Sequence, residues 1–543
     1  MKKEAGYHKL RGGYYTPKII ADFLVAWAIQ KSDDIVLEPS CGDGVFLSSA
    51  QSRLTALHNG LEIDFTQITG IEIDNIEANK AKTNGVHVIN RDFFTVCREE
   101  LFNKRTYDVI VGNPPFIRYQ NVDTEIRDAA FSLMRECGFK PNKLTNMWVP
   151  FLLLSAKLLG HNGRLGMVIP AELFQVNYAA EAREFLSGFF TSVTIITFRE
   201  LVFDDIQQEV VLLMAEKNGV EAGIRVIELD NLTSLSSLNL DELSTISIKE
   251  LDHSTEKWVK YYLNSEELDL VRKLEHSNLL TPTTELFEVN VGIVSGENKF
   301  FVIPQDIVKK FGLSHSVLPI IGRADQTSGI SLTHEDMQNL IDEGKSVFLF
   351  HPSDSTPLDS GSQSYIQYGE ENGYSKNYKC RIRDKWYVVP LSWKPEAFLI
   401  RQANLYSRII LNQAESFVTD TLHKIRFKSG INPKHVTAAF LNTYTLAQCE
   451  MVGRSYGGGV LTFEPSEIRM LKIPMINSDK LDFHQIDDWQ KKGDIISILK
   501  YTDKVLLEDG LGLKKEEVAL LHNVWKKLSE RRLSRKHSKK NQM

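Results

Sequence analysis

The residues best suited to chemistry form one tetrapeptide, Asn113-Pro114-Pro115-Phe116, which directly follows an apolar run over 107–111. The exocyclic amine of a nucleobase is a poor nucleophile, because its lone pair is delocalised into the ring. The Asn113 side-chain oxygen and the Pro114 carbonyl are two acceptors that could hold its two N–H bonds and free the lone pair. Proline fixes φ and has no N–H, so this loop would stay rigid, and the Phe116 ring could stack on the base. The pattern is typical of methyl transfer to a planar amine, although Asn-Pro also begins ordinary turns.

Three other strand ends carry residues suited to binding a nucleoside. The segment Glu38-Pro39-Ser40-Cys41-Gly42-Asp43-Gly44 follows an apolar run, and its glycines can adopt positive φ and let the backbone approach a ligand closely. Glu72 ends a second run, where its carboxylate could accept hydrogen bonds from both hydroxyls of a ribose. Asp92 ends a third, where it could accept from an adenine amine while the Phe93 ring stacks on the base. Each feature alone is often a turn or a solvated acid, but three in succession indicate a ligand site.

The charge beside the glycine turn restricts the kind of nucleotide that could bind. Neither a Gly-Lys-Ser/Thr motif nor an arginine accompanies the glycines, whereas Glu38 and Asp43 add negative charge. A pyrophosphate would be repelled there, and a cationic or zwitterionic nucleoside would be attracted. S-adenosylmethionine, which is a sulfonium, fits this description.

A parallel sheet would bring these four segments together. Apolar runs alternate with helical patterns along the first part of the chain, at 35–37, 68–74, 86–89, 107–111 and 165–169. This alternation predicts a doubly wound, Rossmann-like α/β fold with helices on both faces of the sheet. Two later β-rich runs, 193–198 and 209–215, are close enough to be antiparallel neighbours. In such a sheet, ligands bind outside the carboxyl ends of the strands, which is where the four segments lie.

The length and charge of the chain set its organisation. Its 543 residues predict two or three domains. We expect a catalytic domain over 1–245, a second α+β domain over 246–480 and a helical, basic segment over 481–543. A net charge of −6 argues against coating of nucleic acid through bulk charge, so any DNA contact must use a local basic cleft.

Composition argues against several other classes of protein. Apolar residues make up 42% of the chain and charged residues 25%, and no apolar run approaches the ~20 residues that a membrane helix needs. Five scattered cysteines without a CxxC pair argue against a disulfide scaffold and against a structural zinc site. We therefore expect a cytoplasmic protein with no metal and no membrane partner.

The order of these motifs resembles that of the group-gamma N6-adenine DNA methyltransferases of restriction–modification systems, the TaqI-methylase-like enzymes. The resemblance extends over about residues 12–217 and includes Gly13-Tyr14-Tyr15-Thr16-Pro17 and Gly70-Ile71-Glu72-Ile73-Asp74. It implies a pocket for S-adenosylmethionine lined by Thr16, Glu38, Pro39, Ser40, Cys41, Glu72, Asp92 and Pro115, to which we add Gly42, Ile73 and Phe93. It also implies that Phe203 faces a flipped-out adenine opposite Phe116, which stands where the family more often has tyrosine.

The same resemblance implies a substrate and partners. Duplex DNA would be the substrate, and a C-terminal target-recognition domain would read its sequence. A cognate restriction endonuclease would cut DNA that this chain had not methylated. We expect the chain to act as a monomer. The segments 292–298 and 454–459 look like parts of such domains, where glycines could let the backbone approach phosphates and Arg454 could anchor one. Hairpin turns explain both segments equally well. Eight Lys and Arg residues within 526–540 could add salt-sensitive affinity.

Three other functions stay open at this point. An N4-cytosine DNA methyltransferase would face the same problem of a planar amine, although the leading Asn113 rather than a serine favours adenine. A protein glutamine-amide methyltransferase uses the same kind of loop, but such enzymes lack a large second domain. A non-catalytic DNA-binding subunit could keep the fold, yet Asn113 and the acidic strand ends are intact. The sequence therefore predicts a site-specific N6-adenine DNA methyltransferase.

Overall fold

The computed structural model describes residues 15–58, 65–82, 86–200, 202–203, 209–251, 253, 256–352, 357–456 and 459–534. Several residues of the predicted segments lie outside these ranges, namely Gly13, Tyr14, Gly457, Gly458 and the tail after Ser534. The chain divides into two compact units, one formed mainly by residues up to Ser265 and the other by Glu266–Leu533. The domain limits at 245 and 480 stay a prediction.

The first unit is built on an eight-stranded sheet with the order β3-β2-β1-β4-β5-β7-β6-β8. The strands are β1 Val36–Glu38, β2 Ile68–Ile71, β3 His87–Ile89, β4 Tyr107–Gly112, β5 Leu159–Pro170, β6 Ser192–Phe198, β7 Val210–Glu216 and β8 Gly223–Leu229. The first five pair in parallel, while β7 is antiparallel to both β5 and β6. The α/β fold and the antiparallel pair of late strands are thereby confirmed.

Helices cover both faces of this sheet. Neighbouring residues of a strand point to opposite sides, so the apolar strands present buried side chains on both faces. The helices of the first unit are α1 Lys18–Ala28, α2 Val45–Leu57, α3 Asn75–Lys82, α4 Phe93–Phe102, α5 Thr124–Glu136, α6 Trp148–Lys157, α7 Ala180–Phe189 and α8 Leu232–Ser236. On one face, Val36 and Val109 join a buried cluster with apolar residues of α1, α2 and α3. On the other, Leu37 and Ile110 pack with residues of α4 to α7. The sheet is therefore doubly wound, as predicted.

The segment between β8 and the second unit packs on this core. Residues 229–247 are rich in Leu, Ser, Asn and Asp without a clear period, which predicts a connector. The structure instead contains α8 and a 3₁₀ helix at Leu240–Thr245, which bury Leu235 and Leu243 in the same apolar cluster as α1. Leu232, Leu238 and Leu240 are partly buried against the same cluster, so several leucines anchor these short turns.

The second unit contains several small sheets, as expected for an α+β domain. Its strands are β9 Thr281–Pro282, β10 Phe287–Val291, β11 Val302–Ile303, β12 Val317–Ile321, β13 Ser331–Leu332, β14 Phe348–Phe350, β15 Ala397–Ile400, β16 Gln402–Ala403, β17 Ile409–Asn412, β18 Phe417–Val418, β19 Leu422–Phe427, β20 Arg454–Tyr456, β21 Val460–Thr462 and β22 Lys472–Ile473. The two larger sheets have the orders β10-β19-β15-β17-β13 and β11-β14-β12-β18.

Helices complete the second unit and end the described chain. They are α9 Ser265–Glu275, α10 Thr283–Leu286, α11 Asn298–Phe301, α12 Gln305–Phe311, α13 His334–Asp342, α14 Ser360–Glu371, α15 Tyr378–Arg381, α16 Pro433–Ala439, α17 Thr443–Val452, α18 Pro465–Ile468, α19 Phe483–Lys491, α20 Ile495–Asp503 and α21 Lys515–Ser534. Across the described residues, we find no helix with the length and apolar character that crossing a bilayer requires.

Candidate active site

A cavity of about 500 Å³ lies at the carboxyl ends of β1, β2, β3 and β4. In an open α/β sheet this edge is the usual place for a ligand. Most of the predicted site residues line it, namely Thr16, Glu38, Pro39, Ser40, Cys41, Gly42, Glu72, Ile73, Asp92, Phe93, Asn113 and Pro115. Pro114, Phe116 and Phe203 are the predicted residues that do not line it. The fold thus brings the four strand-end segments to one place.

The turn after β1 forms the acidic wall of the cavity. Gly42 and Gly44 have φ values of 52° and 90°, a conformation that glycine adopts at little cost. Glu38 is buried, and no hydrogen-bond partner of its Oε2 atom is found among the described residues. Burial, followed by the negative charges of Glu72 and Asp43, raises the pKa of the Glu38 carboxyl well above its usual range. A bound cation beside this carboxyl would relieve the cost of ionising it.

Glu72 joins the turn after β1 to the turn after β2. Its Oε2 accepts the N–H of Gly42 at 2.9 Å, and its Oε1 accepts the N–H of Asp74 at 2.8 Å. Asn90 at the end of β3 donates its Nδ2 to the Glu72 carbonyl at 2.7 Å, which fixes the end of β2. Each carboxylate oxygen can accept a second hydrogen bond. The side chain is therefore held in place at the wall of the cavity.

Asp92 and Phe93 begin α4. One oxygen of Asp92 caps the helix by accepting from the N–H and hydroxyl of Thr95, at 2.8 and 2.9 Å. Phe93 is 2% exposed, and its ring stacks on that of Phe151 with centroids 4.8 Å apart. One face of the Phe93 ring is thus covered by the protein, and Phe151 itself also lines the cavity.

Asn113 stands where β4 ends, and Thr16 fixes its orientation. The Asn113 Nδ2 donates to the Thr16 hydroxyl oxygen at 3.1 Å, and Thr16 is buried immediately before α1. Pro114 is buried as well. Farther along the loop, the Ile117 carbonyl accepts from the N–H of Met147 at 2.9 Å. The loop is therefore held by elements that precede and follow it by many residues.

The two aromatic residues predicted to hold a base, Phe116 and Phe203, both contact the apolar cluster on one face of the sheet. Phe203 is 7% exposed and belongs to the apolar cluster that includes α1, and the partly buried Phe116 packs against this same cluster. Phe116 also packs against the apolar cluster on the other face of the sheet, and the placement of the two rings on either side of a base stays a prediction. The acidic residues that follow Phe203, Asp204 and Asp205, lie outside the described residues.

Several lining residues were not predicted. They are Tyr15, Asp43, Val45, Phe46, Ile71, Asp74, Ile76, Glu77, Arg91, Phe94, Ile117, Asn121, Val122, Asp123, Ile126, Met147 and Phe151. Some are neighbours of predicted residues, so proximity in the sequence could have indicated them. Met147 and Phe151 gave no such signal, because they reach the cavity only through the packing of α6 against α4.

The donor set of the cavity fits S-adenosylmethionine. Carboxylates surround it, and among its lining residues Arg91 carries the only Lys or Arg charge. That guanidinium is already bound by Glu99 through two hydrogen bonds of 2.9 and 2.7 Å. Glu38 and Glu72 can accept hydrogen bonds from ammonium and ribose hydroxyl groups, and in their ionised forms they would repel a phosphate. Burial also raises the pKa of the Cys41 thiol, which disfavours the thiolate form that a nucleophilic cysteine needs.

The glycine segments predicted to approach DNA have structural roles in the second unit. A Cβ built on Gly292 would lie 2.1 Å from the Thr419 carbonyl oxygen, and one on Gly459 would lie 2.6 Å from that of Arg532. At both positions the lack of a side chain therefore lets another backbone segment of the same chain approach closely. Arg454 begins the β20–β21 hairpin, and Glu467 binds its Nε at 2.7 Å. The antiparallel pairing of β20 with β21 agrees with the hairpin explanation, and the Arg454 guanidinium is engaged within the protein.

Sequence comparison identifies two families along the chain. The profile of the N-6 DNA Methylase family matches residues 2–278. The profile of the Type II methyltransferase M.Eco57I, C-terminal domain, matches residues 255–507. Together the two matches span both compact units.

Individual relatives agree with these families. The Type II methyltransferase M.AccI of Acinetobacter calcoaceticus is 26% identical over 502 residues, which cover 86% of this chain and 87% of that protein. The Type II methyltransferase M.HincII of Haemophilus influenzae is 27% identical over 46% of this chain and 45% of its own length. Among solved structures, the type IIL restriction-modification enzyme MmeI in complex with DNA has a TM-score of 0.59 at 11% identity, over 92% of this chain and 73% of that one. At that identity the likeness concerns the fold.

Proposed function

Since this chain belongs to the N-6 DNA Methylase family, we propose that it methylates N6 of an adenine with the residues at the carboxyl edge of its first sheet. It is an adenine-specific Type II DNA methyltransferase. The family implies the use of S-adenosylmethionine. Beyond the family and its cofactor, we propose three things: which residues carry the reaction, that the target base rotates out of the duplex, and that the chain is paired with an endonuclease.

The acidic strand ends would bind the cofactor. Glu38, buried with an oxygen that has no described partner, would pair with its positive charge. Glu72, which lines the cavity and is held by both turns, would accept hydrogen bonds from the ribose hydroxyls. Asp92 would accept from the adenine amine with the oxygen that does not cap α4. S-adenosylmethionine, when bound, supplies an electrophilic methyl group.

Asn113 and Pro114 would prepare the target amine. The Asn113 Oδ1 and the Pro114 carbonyl would accept its two N–H bonds, which draws the nitrogen toward tetrahedral geometry and frees its lone pair. Because the Asn113 Nδ2 donates to Thr16, the amide is held with Oδ1 as the acceptor for the amine. Transfer would form the N–C bond as the sulfonium–methyl bond breaks to leave a neutral thioether. The methylated nitrogen would then be cationic and could lose a proton to solvent, so no strong base would be required. Catalysis would then be positioning and electrostatic stabilisation.

The target base would have to leave the double helix to reach these groups. Rotation out of the stack costs a few kcal/mol, and aromatic faces in the enzyme offset it. Phe116 and Phe203, which share one apolar cluster, would provide these faces. A base stacked on an aromatic side chain gains ~1–3 kcal/mol, and phenylalanine offers this as well as tyrosine does.

The family match favours adenine over the alternatives. A profile of adenine methylases covers the catalytic unit, so N4 of cytosine and a protein amide are not favoured. The second unit matches the C-terminal domain of a Type II methyltransferase, which supports its role in choosing the DNA target. We further propose that the methyl group protects host DNA from a cognate restriction endonuclease and that the chain acts as a monomer.

Nucleoside mass spectrometry tests this proposal. Unmethylated duplex DNA is incubated with S-adenosylmethionine and either the wild-type chain or Asn113→Ala. We expect N6-methyladenine with the wild type, and a rate at least about 10²-fold lower with the variant, by analogy with removal of one transition-state hydrogen-bond partner. Cofactor binding, measured by calorimetry, should be retained in the variant. Formation of N4-methylcytosine would contradict the assigned target base. The role of Asn113 would be contradicted by a variant that loses cofactor affinity yet transfers the methyl group at the wild-type rate when the cofactor is saturating.

A further inference from the structure

One segment of the second unit combines positive charge with aromatic residues. Between residues 374 and 387 the chain carries five Lys and Arg residues against one Asp, together with four aromatic residues. This density contrasts with the net charge of −6 for the whole chain. Basic residues interleaved with aromatic ones are typical of nucleic-acid contacts. We call residues 374–387 the basic segment.

The basic segment is packed firmly against the loop over 292–298. Asn377 donates its Nδ2 to Glu297 at 2.6 Å, and Arg383 donates to the Val294 carbonyl at 2.9 Å. Gly296 has a φ of 87°, and a Cβ built on it would lie 2.7 Å from the Cβ of Lys379. The two stretches therefore form one surface, on which the glycine is needed for close approach.

This surface exposes both charge and apolar area. Tyr378 is 65% exposed, Ile382 58% and Val294 43%. Lys376, Lys379 and Arg381 are exposed beside them, and among the described residues none of these three belongs to an ion pair of the second unit. Because these apolar and positively charged side chains are exposed, they have no evident role in folding. Both are suited to a ligand that presents anionic groups next to apolar rings.

We propose that this surface contacts duplex DNA. Lys376, Lys379 and Arg381 would bind phosphates, which position the protein on the duplex without reading its sequence. Tyr378 and Ile382 would contact sugars and base edges, where apolar contact adds affinity that does not depend on salt. The proposal rests on the proposed function, because it takes the substrate to be DNA.

Charge removal tests the phosphate contacts. The variant Lys376→Gln/Lys379→Gln/Arg381→Gln is compared with Lys309→Gln/Lys310→Gln/Lys345→Gln, which removes the same charge from other exposed positions of the same unit. The probe is a linear plasmid fragment that the wild-type enzyme methylates. We expect the first variant to lose about 10- to 100-fold in affinity and its slope of log Kd against log salt to fall by about 2 to 3, at ~0.9 for each phosphate contact. The second variant should stay within about twofold of the wild type.

Two further measurements make the result independent of any folding defect. In the wild-type chain, bound DNA should protect Lys376 and Lys379 from acetylation while Lys309, Lys310 and Lys345 stay reactive. The variant Tyr378→Ala/Ile382→Ser should lose affinity with an unchanged salt slope.

Equal losses in the two triple variants would show that bulk charge alone acts, and this would overturn the proposal. So would undisturbed binding in the first variant, or labelling of Lys376 and Lys379 that DNA does not change. If the wild type methylated no adenine in the fragment, the proposed function itself would fail, and that result is visible before any variant is compared.

Discussion

The hydrogen bond between Asn113 and Thr16 makes the sharpest prediction about the reaction. Thr16→Val keeps the shape of the side chain and removes the oxygen that accepts the Asn113 Nδ2 at 3.1 Å. The amide can then turn over, which would present an N–H group where the target amine needs an acceptor. A neutral hydrogen bond contributes about 0.5–1.5 kcal/mol, and a buried donor that loses its acceptor costs about 1–3 kcal/mol.

These magnitudes set the expected rate. At 1.36 kcal/mol for each factor of ten, a penalty of about 1–3 kcal/mol lowers methyl transfer about 5- to 150-fold. The assay is single-turnover transfer from radiolabelled S-adenosylmethionine, with cofactor and DNA both saturating, so that a change in cofactor affinity does not enter the rate. Cofactor affinity is measured separately, because Thr16 also lines the cavity.

Thr16→Ser is the matched control, since it keeps the hydroxyl and removes only the methyl group. We expect it to transfer within about threefold of the wild-type rate. The reasoning is refuted if Thr16→Ser is as slow as Thr16→Val, because packing of the methyl group would then be the cause. It is also refuted if Thr16→Val changes cofactor affinity alone and transfers at the wild-type rate when saturated.

Three other perturbations follow from buried groups. The pKa of Glu38 is higher in the folded chain than in the unfolded chain. The stability that protonated Glu38 contributes to the free enzyme is therefore complete below its pKa in the unfolded chain, and it is lost as the pH rises through its pKa in the folded chain. Glu38→Gln should flatten this part of a thermal-unfolding profile against pH and weaken cofactor binding, and an unchanged profile would count against the raised pKa. Gly292→Ala, whose Cβ would meet the Thr419 carbonyl at 2.1 Å, should destabilise the second unit by about 3 kcal/mol in denaturant unfolding. Normal stability with weaker DNA binding would instead indicate a phosphate contact. Arg532→Ala, which breaks a buried pair with Glu450 at 2.7 Å, should cost about 3–5 kcal/mol in the same measurement. A lower salt slope of DNA binding at unchanged stability would show that Arg532 contacts phosphate.

Arg532, near the basic end of the chain, shows that a positive residue within a basic run need not be exposed to a ligand. Arg532 lies among eight positive residues that look like a surface for DNA. In the structure it is 2% exposed, and it binds Glu450 and the carbonyls of Asn404 and Leu405. A buried arginine of this kind joins α21 to the rest of the second unit. The basic segment over 374–387 has no comparable run of charge, yet Lys376, Lys379 and Arg381 within it are exposed.

The sequence by itself determined the catalytic half of the fold and most of its candidate site. Alternating strands and helices place the carboxyl ends of parallel strands at one edge, so residues that directly follow strands must meet there. This is why Glu38, Glu72, Asp92 and Asn113, which are far apart in the chain, line one cavity in the structure.

Only the tertiary structure decided which partner each of these residues has. The acceptor that orients Asn113 precedes it by 97 positions, and Met147 and Phe151 reach the cavity through the packing of helices. The structural roles of Gly292, Arg454 and Arg532 depend likewise on contacts with distant backbone and side chains. Strand ends follow from local periodicity, whereas such contacts depend on how elements pack, and neither residue type nor spacing records that packing.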